Sequence, residues 1–390
     1  MPASTSRFTA DRAIELVRDM VALQTVNPMG RDYGGTAPVE RPVIEYIEGL
    51  VAPFGVSAKR QSCSPIHENL LVRVEGRTGG PGTLFESHAD TVPADDWPDR
   101  AFIPRVDGML VYGRGACDDK ASLAGMLMAL LDVLESGQTP PQPVLFLCAG
   151  DEEYGQCGIR HFMDTLDAPV GRGVFGEPTE LVPVIQHKGT VRWDITVRGR
   201  SAHTSRPELG RNAILDTMRV IEALAQQQRA FQDQESGGLT TGPTLTVTMI
   251  HGGRTRNAVP DECKIAVDMR VVPGMDAARS LEQVKDAVGR LDLKATHHEP
   301  QIMAPALNTA PEDPFTSVAV QACSACLGRS VEAEGVPYGT DAAWLSATAP
   351  AIVLGPGKID TAHAIDEFID TTEVATCAQI YHRLMVHDWI

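Results

Sequence analysis

The chain has 390 residues, 43% apolar and 22% charged, an ordinary composition for a globular protein with room for two or three domains. Its 51 acidic residues against 34 Lys and Arg give a net charge of −17, which argues against nucleic acid or an anionic membrane surface as a partner. No stretch approaches the length of a membrane-spanning helix, and "MPASTSRFTADRAIELV" lacks an apolar signal-peptide core with a cleavage site, so a cytoplasmic location is expected.

In chain order, apolar spacing predicts helices at 12–23 ("RAIELVRDMVAL") and 42–54 ("PVIEYIEGLVAPF"), then strands at 69–74 ("NLLVRV") and 83–87 ("TLFES"). A long apolar helix follows over 121–136, then a strand at 143–150 ("PVLFLCAG"), a helix at 158–166 and a strand at 173–178 ("GVFGEP"). This is an α/β pattern with a sheet covered on both faces. From about 185 the strands become amphipathic: in "VRWDITVRG", Val191, Trp193, Ile195 and Val197 alternate with polar residues, as on a sheet with one wet face. The order is then helix 210–228, strands 243–250 and 263–272, helix 277–291 and strand 293–299, a ferredoxin-like βαββαβ unit. The fully buried texture returns with a helix at 314–328 and a strand at 350–355. The expected division is 1–184 plus 297–390 for a discontinuous larger domain and 185–296 for an inserted one. Eight cysteines, at 63, 117, 148, 157, 263, 323, 326 and 377, form no dense disulfide framework. Cys323 and Cys326 read as two small core residues one helical turn apart.

Four predicted strands end in residues of metal-ligand type: His88 and Asp90, the run Asp151, Glu152 and Glu153, then Glu177, then a loop bearing His363. "GRGACDDK" adds Asp118 and Asp119 in a Gly-rich turn before the long helix. Each piece alone reads more readily as a turn or helix cap than as a ligand, and Asp119 keeps that reading. In α/β sheets, however, ligands bind outside the carboxyl ends of strands, where these groups can converge. Three adjacent acids at the end of a buried strand require either a surface turn or a cation. His with carboxylates suits zinc, bound at about 2.0–2.2 Å. Two competing motifs fail: "GRGACDD" has Asp118 at the third glycine of a dinucleotide fingerprint, and "GRSAH" ends in His203 where a nucleophile elbow needs Gly.

Together "SHADTVP", "GRGACDDKA", "AGDEEYG", "FGEPTE", "HKG", "SAHTSRPELGRNAI", "NAVPDEC", "DMRVVPG", "YGTDAAW" and "GPGKIDTAHAIDEF" resemble the M20 metallopeptidases and deacylases along nearly the whole chain. That group includes acetylornithine deacetylase, succinyl-diaminopimelate desuccinylase, aminoacylase and glutamate carboxypeptidase, and the last motifs resemble the acetylornithine deacetylase branch most. The resemblance implies a zinc-exopeptidase-like catalytic domain, a mixed sheet flanked by helices, with an inserted ferredoxin-like dimerisation or lid domain. It implies two Zn²⁺ per subunit, with Co²⁺ or Mn²⁺ as substitutes: His88 and Glu177 on one, Glu153 and His363 on the other, and Asp118 bridging both. Asp90 would hydrogen-bond His88 and fix its tautomer. Glu152 falls on the general acid/base, and His203 on a histidine that reaches the partner subunit's site in a homodimer. Two Zn²⁺ and three ligating carboxylates leave one positive charge, which a bridging hydroxide neutralises.

Arg270 resembles the anchor of a substrate carboxylate, Asn257 reads as a substrate contact or a turn residue, and Thr340 as a pocket residue or a helix cap. Lys120 is expected to pair with a nearby acid, Asp151 to be structural, and His67, His297 and His298 to be surface or loop residues. Ser87 and Ala121 stand where many relatives have Gly. The implied activity is hydrolysis of the amide bond of N-acyl-L-amino acids, in amino-acid metabolism, by a metal-activated water. A carboxypeptidase or dipeptidase is the alternative within the family, and a non-catalytic binding protein the alternative outside it.

Overall fold

The computed structural model describes residues 7–389 except 98, 168 and 235–237. The chain forms two units: Met1–Ile185 with Thr309–Glu334 and Thr340–Ile390, and Gln186–Asn308 with Gly335–Gly339.

In the first unit the strands lie in the order Ser57–Ser62, Glu68–Val74, Val144–Ala149, Gly82–His88, Val170–Phe175 and Ala351–Val353. The first two pairings are antiparallel and the remaining three parallel. Gly82–His88 and Val144–Ala149 are buried along their whole length, as their unbroken apolar runs require. The helix Lys120–Ser136, apolar on every side, is buried from Lys120 through Val133 and packs against the helices Ala10–Ala22 and Thr371–Met385. Caps fix these termini: the Thr9 hydroxyl accepts from the Arg12 amide at 3.2 Å, and the Asp370 carboxylate from the Thr372 amide at 2.9 Å.

The register decides where the polar groups emerge. His88 pairs with Ala149, Glu86 with Phe175 and Phe175 with Val353, so four strands end within two residues of one another at their carboxyl ends. His88, the Asp151–Glu153 run, Glu177 and the 355–367 segment therefore leave the sheet at one edge. A small sheet of Phe368–Asp370, Leu110–Tyr112 and Arg105–Asp107 draws the end of that segment against the Gly-rich turn, where the Gly113 amide donates to Glu367 O at 2.9 Å.

The second unit is the expected βαββαβ arrangement. Its strands run antiparallel in the order Thr244–Gly252, Glu262–Val271, Gly189–Arg198, Lys294–His297, with helices Ala213–Gln234 and Ala277–Gly289. Val191, Trp193, Ile195 and Val197 are buried in its core, as their alternation predicts. The return to the first unit falls at Thr309 rather than at 297. The cause is Ile302–Ala304, which pairs with Gly189–Arg198 and keeps the chain in the second unit past its last predicted strand.

Candidate active site

The strand Val144–Ala149 has ended before its acids begin. Asp151 takes a left-handed φ of 65°, a conformation Asp tolerates better than most residues. This turn frees Glu152 and Glu153 from strand alternation, so both can face one site. Asp90 fixes it from the neighbouring strand end: Oδ1 accepts from the Glu152 amide at 3.1 Å, and Oδ2 from the Glu153 amide at 3.3 Å and Asn27 Nδ2 at 2.8 Å. Asn27 also donates to Asp151 Oδ1 at 3.0 Å, so Asp151 supports the turn.

Asp90 orients His88 through its backbone carbonyl rather than its carboxylate. His88 Nδ1 lies 2.9 Å from the Asp90 carbonyl oxygen, whereas the carboxylate Oδ1 stands 3.6 Å away, beyond hydrogen-bond range. The carboxylate is occupied by the amides of the acid turn. The carbonyl accepts a hydrogen bond from Nδ1–H and thereby aims Nε2 into the site.

Nε2 of His88 lies 3.1 Å from Asp118 Oδ1 and 4.0 Å from Glu177 Oε1. Nε2 of His363 lies 3.2 Å from Asp118 Oδ2 and 3.3 Å from Glu153 Oε2. The two oxygens of Asp118 thus face the two histidines separately. Oxygen and nitrogen ligands about 2.0–2.2 Å from one tetrahedral cation stand roughly 3.3–3.6 Å apart, and these separations bracket that spacing. The donor set fits two divalent cations that share Asp118. Ligand atoms of His88, Glu152 and Glu177, and of His88, Asp118 and Glu153, form two groups within 4.8 Å, so Glu152 adjoins the ligand set.

The electrostatics match a cation site. Burial works against charge on His88, but the carboxylates of Asp118 and Asp90 hold it protonated, well above the usual imidazole range. Hydrogen bonds with Asp118 and Glu153 raise His363 to about 10. Burial also opposes ionisation of Asp118, yet His363 and His88 outweigh it and keep the carboxyl below its ordinary range. Burial pushes Glu177 well up, Glu153 up, and Glu152 to about 8. Protons held on imidazoles now balance these acids, and a bound cation would displace them.

Several supports lay outside the sequence reading. Glu367, 1% exposed, accepts from the amides of Cys117 at 2.8 Å, Asp118 at 3.0 Å and Gly115 at 3.0 Å, and from Arg114 Nη1 at 2.6 Å. It cradles the turn that presents Asp118. Its only sequence signal is its place in "AIDEF", within a motif whose His alone drew attention. Gly355 permits close passage beside Glu177, because a Cβ there would meet Glu177 O at 2.3 Å. Glu86, Asp119 and Asp341 are further buried acids with side-chain oxygens that have no hydrogen-bond partner among the described residues. Burial raises Glu86 and Asp341 well above the carboxylate range and Asp119 to about 7.

Some expectations need correction. Asp119 occupies the N-cap position of Lys120–Ser136 but makes no capping bond; its Oδ2 accepts instead from the Ser87 hydroxyl at 2.5 Å. Lys120 pairs with no acid among the described residues: its Nζ donates to the Leu23 carbonyl at 2.8 Å, and burial lowers it to about 7. His67 is buried, with Nδ1 2.7 Å from Glu40 Oε1 and Nε2 3.5 Å from Asp151 Oδ1. It therefore backs the acid turn. His297 lies in the strand Lys294–His297, where Trp193 Nε1 donates to its Nδ1 at 3.1 Å, whereas His298 is an exposed loop residue, as expected, with Nε2 2.8 Å from Thr196 Oγ1. Thr340 is buried, and its hydroxyl accepts from the Ala342 amide at 3.2 Å at the start of the helix Ala342–Leu345, whose N-cap position falls on Asp341.

His203, Asn257 and Arg270 belong to the second unit. His203 and Asn257 are exposed. The Ser205 amide donates to His203 Nδ1 at 3.2 Å, so the neutral ring carries its proton on Nε2. Arg270 Nε and Nη2 reach the Asp268 carboxylate at 2.7 and 3.3 Å, and Nη1 reaches Thr190 Oγ1 at 2.8 Å. These bonds occupy three of the five guanidinium donors and leave two.

A paired-cation ligand set at the carboxyl edge of a mixed sheet, joined by sequence to an inserted βαββαβ unit, defines a metal-dependent hydrolase. The chain belongs to peptidase family M20/M25/M40, whose model matches residues 84–387. It is 33% identical to an acetylornithine deacetylase of Vibrio cholerae serotype O1 over 357 residues, which cover 88% of this chain and 90% of that protein. Its fold is similar to that of an M20-family metallo-carboxypeptidase from Sulfolobus solfataricus, with TM-score 0.78, 17% identity, and 96% and 98% of the two chains covered. It is also similar to a dinuclear metal-binding M20 peptidase from Bacillus subtilis, with TM-score 0.67, 17% identity and 97% of each chain covered.

Proposed function

We propose that the protein is a deacylase that hydrolyses the amide bond of N-acyl-L-amino acids, with two divalent cations, zinc in the first instance, and Glu152 as general acid/base. The observation that carries the reading is Asp118, whose two oxygens face His88 and His363 separately beside Glu152. His88 and Glu177 would hold one cation, His363 and Glu153 the other, and Asp118 both. Such a pair lowers the pKa of a water in the site to about 7 and polarises the substrate carbonyl.

The remaining work falls to side chains. Glu152 takes the proton that the water loses as the carbon–oxygen bond forms, then gives it to the amine nitrogen as the carbon–nitrogen bond breaks. Its burial-raised pKa of about 8 moves down beside cations, towards a range in which a carboxylate both takes and returns a proton near neutrality. His203 of a partner subunit would donate from Nε2 to the oxyanion. Arg270 would meet the substrate carboxylate with its two remaining donors, and Asn257 would contact the same substrate. The inserted unit would serve as dimerisation or lid domain. Exposed Leu215 and Met218 on its helix, and Met249 and Ile250 on its edge strand Thr244–Gly252, support pairing of two copies. A reducing cytoplasm suits the eight cysteines, all free thiols.

Amine release from N-acetyl-L-ornithine, N-succinyl amino acids and dipeptides by the metal-loaded protein tests the assignment. Acyl amino acids turned over at least tenfold faster than dipeptides are expected. The reverse order would make the protein a dipeptidase.

A further inference from the structure

Glu152 is anchored by a pair of side chains outside the ligand set. Trp344 Nε1 donates to Gln156 Oε1 at 3.0 Å, and Gln156 Nε2 donates to Glu152 Oε1 at 3.1 Å. An indole nitrogen can only donate. The Gln156 oxygen must therefore face Trp344, and its NH₂ must face Glu152, so the direction of the amide follows from chemistry. Gln156 is 5% exposed and begins the helix Cys157–Asp164 at a left-handed φ of 53°, which confines backbone and side chain together. Arg160, one turn along that helix, has its guanidinium carbon 5.5 Å from the centroid of the Trp344 ring. Trp344 stands in the short helix Ala342–Leu345, whose other three residues are all buried.

We propose that Gln156 and Trp344 are positioning residues that pin Glu152 through Oε1 and leave Oε2 as the oxygen that exchanges the proton. The inference rests on the reading of Glu152 as general acid/base. A donor held against Oε1 selects one rotamer of a flexible side chain and leaves Oε2 as the oxygen without that partner. One proton passes from water to Oε2 as the carbon–oxygen bond forms, and the same proton passes to nitrogen as the carbon–nitrogen bond breaks. The Trp344–Gln156 pair gains and loses none. A displacement of about 1 Å in a reacting group can cost up to about 10²-fold in rate, so this second support, beside the Asp90 bond to the Glu152 amide, affects turnover more than binding.

The test compares Q156L, W344F, their double variant and E152Q in the full-length, metal-loaded protein. The expected result is a kcat about tenfold lower in Q156L and W344F, with KM within twofold and metal content and melting temperature unchanged. The double variant should be no slower than the slower single variant, and Q156L should not slow E152Q further. W344F keeps the ring and loses only the donor, so it reads the relay even where Q156L fails to fold. Wild-type kcat in W344F or in folded Q156L, alongside an inactive E152Q, would overturn the relay alone. A loss carried by KM, melting temperature or metal content with kcat intact would also overturn it. An E152Q protein with normal turnover would overturn the acid/base reading and the relay with it.

Discussion

Replacing Glu367 by Ala removes the acceptor of three backbone amides and of Arg114, a guanidinium that is 4% exposed. Arg114 retains the carbonyls of Pro93 and His363, at 3.5 and 3.4 Å, and the face of Trp97, 5.7 Å from its guanidinium carbon. Breaking a buried ion pair by deleting one partner costs about 3–5 kcal/mol, and each stranded buried donor about 1–3 kcal/mol more where it finds no water. A total of about 5 kcal/mol is expected, because the cavity left by Glu367 admits water to some of these groups. At roughly 2–4 °C per kcal/mol for a unit of this size, the melting temperature should fall by about 10–20 °C. The loss has a second reading in metal content, since the Asp118 amide is one of the stranded donors and Asp118 is the proposed shared ligand. Calorimetry of the chelated and zinc-loaded forms, with metal analysis of each, measures both effects. E367Q preserves volume but puts an NH₂ against donors, so it should fall between the two proteins. An E367A protein that melts within about 2 °C of wild type and keeps its metal would refute the cradle.

Three further outcomes follow from the same geometry. E152Q should lower kcat about 10²–10⁴-fold with cation content unchanged, as measured by steady-state assay and metal analysis together. In chelated protein, His363 has a folded pKa raised to about 10 by Asp118 and Glu153, above its unfolded value. Its contribution to stability should be complete below about pH 6.5 and disappear as pH rises through 10; denaturant titrations of wild type and H363N should converge over that range. M218E places a charge on a 60% exposed apolar side chain and should shift sedimentation from dimer to monomer; a wild type that sediments as monomer at assay concentration would remove the proposed role of His203.

The sequence made the site's donors legible because strand ends are legible. Apolar runs closing on His88, Asp151, Glu177 and the His363 loop can be read without coordinates, and parallel register makes them meet. Supports drawn from distant chain segments were not legible. Glu367 reaches the Asp118 turn across 249 positions, and Trp344 reaches Gln156 across 188; no local period marks either. His67 looked like a loop histidine because its burial depends on Glu40 and Asp151, which arrive from other elements. The resemblance assigns Asp90 to His88, and the bond falls to the Asp90 carbonyl because the carboxylate is spent on the amides of the turn after the neighbouring strand. The helix Thr371–Met385 was legible too, because Val374, Cys377, Ala378, Tyr381, Leu384 and Met385 make a buried stripe at helical spacing, although the expected elements stop before it. The inserted unit's second boundary slipped because Ile302–Ala304 is a three-residue strand, too short to show alternation.

The central claim is a pair of cations sharing Asp118. Equilibrium titration of chelated protein with Zn²⁺, read by metal analysis after gel filtration, should saturate at two ions per chain, and D118A should retain fewer than one. Saturation of the wild type at a single ion, or two ions retained by D118A, would contradict it.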